Sequence, residues 1–160
     1  MHRTKRGLSP STLHRKQASA SRFGRADPAR DVSISRLAWV SSVTFLFTIP
    51  HSIEDFSYGI AQRFGFDVLT AAVGLGVVLA SQVWATAALG WRPTLARGLL
   101  LAIGLVWVIG ALADHIPDLL SASWRSGAPS KGLVVGIIVS QALTVAIAGA
   151  ELRKIRSPMT

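Results

Sequence analysis

Four long apolar runs constrain this chain more than any other feature of it. A bilayer core about 30 Å thick is crossed by a helix of about 20 mostly apolar residues. Four segments meet that requirement: Leu37 to Phe56, interrupted by Pro50; Val68 to Leu89, without a charge; Leu95 to Ile116, apolar until Asp114; and Gly132 to Ala150, also uncharged. Lipid offers no hydrogen-bond partner to an exposed backbone, so such runs are read as helices. Short linkers join them, which predicts antiparallel neighbours. The expected fold is therefore all-α: a polytopic membrane protein built as a four-transmembrane-helix up-down bundle. Residues 1–35 are expected as a disordered basic tail, 36–152 as the transmembrane domain and 153–160 as a second tail.

Composition agrees. Charged residues make up 16% of the 160 and the mean hydropathy is +0.43, whereas soluble domains carry about 25% charged residues. The net charge of +9 would suggest nucleic acid on a soluble surface. Here nine Lys and Arg precede Leu37 and most others flank apolar runs, so no nucleic-acid partner is expected. The absence of Cys excludes disulfides, thiolate metal sites and cysteine nucleophiles.

The same charges predict orientation. The first tail, the loop between the second and third runs (Arg92, Arg97) and the last tail (Arg153, Lys154, Arg156) carry nine, two and three basic residues. The two opposite loops carry Arg63 alone, and Arg125 with Lys131. Both termini are expected in the cytoplasm, in a bacterial plasma membrane, with the first tail touching anionic lipid headgroups. An organellar transit peptide and a start codon placed too far upstream are the other readings of that tail. Trp39 and Trp91 are placed near the inner interface, Trp124 in an outer loop, and Trp84 and Trp107 deeper.

Small residues recur every fourth position in Gly132, Gly136, Ser140 and in Ala72, Gly76, Ala80. Such stripes let helices approach closely. They are expected to face neighbours within the bundle, with a homo-oligomer or another membrane partner as the alternative. Gln82 and Gln141 read as an interhelical hydrogen bond or a substrate contact.

The informative charges are acidic. Five of the eight Asp and Glu, namely Glu54, Asp55, Asp67, Asp114 and Asp118, fall at the expected outer ends of the first three helices. Four of them, all but Asp67, form two clusters with the only His residues outside the tail: Pro50-His51-Ser52-Ile53-Glu54-Asp55 and Asp114-His115-Ile116-Pro117-Asp118. If helix continues past Pro50, His51, Glu54 and Asp55 share one face. Pro117 is expected to loosen the second cluster's last turn. At 1.5 Å per residue, His51 lies roughly 21 Å beyond Leu37 and His115 roughly 30 Å beyond Leu95. One turn at Glu54 and Asp55 closes most of that gap, so the clusters can meet.

Ionisable residues at membrane depth are functional candidates. In one reading His51, Glu54, Asp55 and His115 perform acid/base chemistry, since His titrates near neutral pH and a carboxylate tunes it. In a second, His51, Glu54, Asp114, His115 and Asp118 bind a divalent transition metal such as Zn²⁺, Mn²⁺ or Fe²⁺. In a third they are interfacial residues, solvated and paired with one another. His51-Ser-Ile-Glu54-Asp55 after a first apolar segment resembles the HXXEE family of small integral membrane proteins, with Asp55 in place of the second Glu. That resemblance implies a multi-helix membrane fold and candidate roles for His51, Glu54 and Asp55.

An enzyme of this kind would take a small or lipophilic substrate. A scaffold or accessory subunit would need only its helix faces. A metal or proton permease would need a polar path, for which Ser41, Ser42, Thr44, Ser81 and Gln82 are the only candidates, the inner halves of the last two helices offering almost none. The glycines at Gly74 and Gly76 lie inside a span with no following Lys, so they are no phosphate-binding loop.

Overall fold

The computed structural model describes residues 28–120 and 127–157, without the side chains of residues 28–31, Asp118, Leu119 and Arg156. Six helices follow in order: α1 Pro28–Val43, α2 Phe45–Ser57, α3 Ile60–Arg63, α4 Val68–Ala88, α5 Pro93–Leu120 and α6 Ala128–Arg156. Residues from Ile34 onward form one compact unit; the described residues before it are helical. Among the described residues helix is already present at Pro28, inside the expected tail, since polar residues can extend a helix outside lipid. Trp124 and Arg125 lie outside the described residues.

Four stretches are long and apolar enough to span a bilayer: Val32–Ser57, Val68–Ala88, Pro93–Pro117 and Ala128–Ile155. This is an all-α integral membrane protein. The first stretch joins α1 and α2 through Thr44, whose own backbone stays helical. Thr44 N–H still donates to Val40 C=O at 3.3 Å, and Thr44 C=O accepts from both Phe47 and Thr48 N–H at 3.0 and 2.9 Å. The chain therefore passes from α1 to α2 without unwinding, and helix runs on past Pro50. Helix also continues through Pro117 to Leu120. Its ring removes the single N–H that would bond Ala113 C=O, and only three residues of helix follow it.

Gly59 and Gly65 adopt φ of 72° and 77°, which side chains rarely tolerate. They flank α3 and turn the chain from α2 into α4. Asp67 then caps α4, its carboxylate accepting from Thr70 N–H at 2.9 Å and from the Thr70 hydroxyl. Those bonds hold the exposed Asp67 carboxyl below the usual carboxylate range.

α6 packs most extensively on α5 and also on α2, while α5 packs on α4. Ser41 of α1 closes the ring onto α4, its hydroxyl sharing a 2.9 Å hydrogen bond with that of Thr86. Leu37, Ala85, Ala88, Leu89, Ala96, Leu100 and Ala148 form the apolar core at one end. The stripes divide. At Gly136 the Phe47 ring of α2 presses against the bare backbone, so this position carries a helix contact. Gly76 meets no atom within 4 Å of where a side chain would start, and Ala72, Gly76 and Ala80 are exposed. The α4 stripe thus faces away from the bundle, contrary to expectation: a four-residue spacing does not tell a lipid-facing side from a packed one. Trp39 and Trp91 are exposed, and Trp84 meets Trp91 edge to face at 5.8 Å.

Candidate metal centre

The end of α2 and the end of α5 run in opposite chain directions from their neighbours and finish at the same end of the bundle. Because helix continues through Pro50, His51, Glu54 and Asp55 share a face of α2, and this face is turned inward. His51 is 5% exposed and His115 of α5 is 8% exposed. The two rings meet at an angle of 62° with centroids 4.9 Å apart, and their Nε2 atoms lie 3.0 Å from each other. The two sequence clusters are one site.

Carboxylates surround the pair. Asp55 Oδ2 lies 3.2 Å from His51 Nε2, and Asp114 Oδ2 lies 3.5 Å from His115 Nε2. Glu54 Oε2 lies 3.6 Å from the other ring nitrogen of His51, Nδ1. Beyond Asp114 stands Arg63, at the end of α3, 3.9 Å from Oδ1. Counting Glu54, Asp55 and Asp114 against Arg63, with neutral imidazoles, the site carries two negative charges in excess.

His51, Asp55 and His115 each offer one ligand atom within 4.8 Å of the others. Metal–nitrogen bonds of about 2.0–2.1 Å place two cis ligands about 2.9 Å apart at 90° and about 3.3 Å apart at the tetrahedral angle. The measured separations of 3.0 and 3.2 Å fall within that range. Two imidazoles and one carboxylate on one side of an ion is a donor set suited to Fe²⁺, Mn²⁺ and Zn²⁺. The excess charge of the site is what a divalent ion neutralises.

Of the residues singled out by sequence, Asp55 rather than Glu54 reaches the two facing nitrogens. Glu54 lies on the Nδ1 side of His51, where a carboxylate orients a metal-binding ring. Asp114 lies at the same Nε2 of His115 that faces His51, and the Asp118 side chain lies outside the described residues. Asp67 is remote in role, serving as a helix cap. Arg63 was not foreseen as a site residue, since its placement depends on the turn at Gly59.

Deeper in the bundle, Gln141 Nε2 donates to Gln82 Oε1 at 3.3 Å, and Gln82 Nε2 donates to Ser41 C=O at 3.1 Å. α6 contributes Ser140, Gln141 and Thr144, all buried. The last helix is thus richer in interior polar groups than its composition suggested, because all three fall on its packed side. Ser42, counted among the path candidates, is exposed instead.

No family model matches this chain, and no match to it was found among curated proteins or solved structures.

Proposed function

We propose that this protein is a membrane-embedded metal-dependent enzyme, with His51, Asp55 and His115 holding one divalent transition metal. The observation that carries the reading is the 3.0 Å approach of the two Nε2 atoms with Asp55 Oδ2 at 3.2 Å. An ion with three protein ligands keeps open positions, where it polarises a water or a substrate oxygen. Glu54 orients His51 through Nδ1, and Asp114, steadied by Arg63, stands beside His115 as a proton acceptor or donor. The substrate class is small or lipophilic. An apolar groove of about 550 Å³ between α2 and α4 supports bilayer access, lined by Ile49, Ser52, Ile53, Phe56, Leu75 and Leu79 at the level of the centre.

The proposal includes the positive-inside orientation. It puts both termini in the cytoplasm of a bacterial plasma membrane, the first tail against anionic headgroups and the metal centre near the outer leaflet. Kinship with the HXXEE proteins belongs to the same reading, since His51, Glu54 and Asp55 are its motif positions. A second reading is a scaffold that docks a second copy or a membrane partner, favoured by the exposed Ala72, Gly76 and Ala80 of α4. Metal content of the detergent-purified protein, prepared without a His tag and offered Zn²⁺, Fe²⁺ and Mn²⁺ in turn, separates the two. The enzyme reading expects near one ion per chain, lost in both His51→Ala and His115→Ala. No retained ion in any arm sinks it.

A further inference from the structure

Between the metal centre and the Gln82–Gln141 pair, the bundle interior holds polar groups that its own helices leave unpaired. Thr48 Oγ1, Trp107 Nε1 and Gln141 Oε1 are buried atoms without a hydrogen-bond partner. They come from α2, α5 and α6. Gln141 sits at Gly104, where a side chain would start 3.4 Å from its Oε1, and this fixes the level of α5 against α6. Counting about 1.5 Å per residue from that level, Trp107 stands about 4.5 Å higher, the His pair about 16 Å and Thr48, three residues before His51, about 12 Å. The unpaired atoms are thus spaced along the interior in steps and are not gathered at one fault.

Thr48 explains itself locally. Buried hydroxyls in helices usually return their proton to the carbonyl four residues back. Thr44, Thr86, Ser140 and Thr144 all do so. For Thr48 that carbonyl is Thr44 C=O, which already accepts two N–H groups at the junction of α1 and α2. Its hydroxyl is left facing the interior, one turn from His51. Unpaired buried polar atoms are rare and costly in proteins unless water reaches them.

The opposite end differs. Below Ser41 and Gln82 the interior is filled by Leu37, Ala85, Ala88, Leu89, Leu100 and Ala148. Beyond lies Arg97, 4% exposed, with Glu151 3.9 Å from Nη2 and its own buried Nε without a hydrogen-bond partner, so the apolar cluster separates this one unpaired atom from those above.

We infer that the interior from the His51–His115 end down to Gln82 and Gln141 is a hydrated proton half-path, sealed by the apolar cluster around Leu37 and Leu100. Protons move along water held by Thr48, Trp107 and Gln141, and the seal keeps the membrane tight. The half-path needs no metal, so its failure and the failure of the metal centre are read separately.

The test uses the purified protein in liposomes with a trapped pH-sensitive dye and a K⁺ diffusion potential set by valinomycin. The unaltered protein stays at the protein-free leak rate. Leu100→Ser raises proton entry at least tenfold, and adding Thr48→Val or Gln141→Leu returns it to near that leak, with metal content unchanged in Thr48→Val. Flux through the unaltered protein, or a Leu100→Ser flux indifferent to Thr48 and Gln141, overturns the inference. Should Leu100→Ser fail to fold, hydrogen exchange of the Trp107 indole in the unaltered protein decides. Exchange within tenfold of the exposed Trp39 indole supports the half-path, and protection beyond a hundredfold overturns it.

Discussion

Gly136 is the position where packing makes the sharpest demand. A Cβ added there would lie 2.6 Å from Phe47 Cγ and 2.7 Å from Cε1, where ordinary contact begins at 3.4 Å. Closing that deficit means moving α2 and α6 apart by nearly 1 Å (about 0.8 Å on the Cγ distance). Cγ is the root of the ring, so no rotation of a flexible tip relieves it. Overpacking of this kind costs about 1–3 kcal/mol. Gly136→Ala should therefore lower the unfolding free energy by that amount, measured by steric trapping or by thermal unfolding in one detergent. Phe47→Ala should remove most of the penalty, giving a double-mutant coupling of about 1 kcal/mol or more. Gly76→Ala, in open space, should be neutral in the same assay. Equal stability of Gly136→Ala and wild type, or an undiminished penalty in the Phe47→Ala background, would refute the packing argument.

Three further predictions concern other parts of the molecule. Gln82→Leu should destabilise the bundle by about 0.6–1.7 kcal/mol in the same unfolding assay, the range measured for polar contacts between membrane helices. The double change with Gln141→Leu should cost less than the sum of the singles, because Gln141 is then no longer left without its acceptor. Glu54→Gln should weaken metal affinity about 10–100-fold, as loss of an orienting carboxylate does, while Asp55→Asn, which removes a ligand, should weaken it more; competition titration with a chelator reads both. The Asp67 cap should fail in acid. Its folded pKa lies below the ordinary value of 3.8, so its contribution is full above that value and lost as pH falls through the folded one. Protection of the amides at the start of α4, taken relative to their intrinsic exchange rate, should therefore fall below about pH 4, and Asp67→Ala should abolish that dependence.

The spans were legible because lipid imposes one demand on every residue that crosses it, and Val68–Ala88 differs from its sequence expectation by a single residue. Helix ends outside lipid obey no such demand, so helix over residues 28–35 and the extension of α6 to Arg156 were not visible. Within the site, His51, Glu54 and Asp55 were legible as one helical face. The approach of His115 was not, since it depends on how α2 and α5 are staggered and tilted. The same limit applies to Thr48. Its type is unremarkable in a membrane helix, and only the doubly occupied Thr44 carbonyl sets it apart. Pattern likewise could not separate Gly136, under the Phe47 ring, from Gly76, in open space.

The most direct test of the central claim is X-ray absorption at the metal edge of the loaded, detergent-purified protein. The account predicts a coordination shell containing two imidazoles and at least one carboxylate oxygen in the wild type. In any metal that His115→Ala retains under excess ion, it predicts one imidazole. A wild-type shell with no imidazole, or an unchanged shell in His115→Ala, would contradict the convergence of His51, Asp55 and His115 on a single ion.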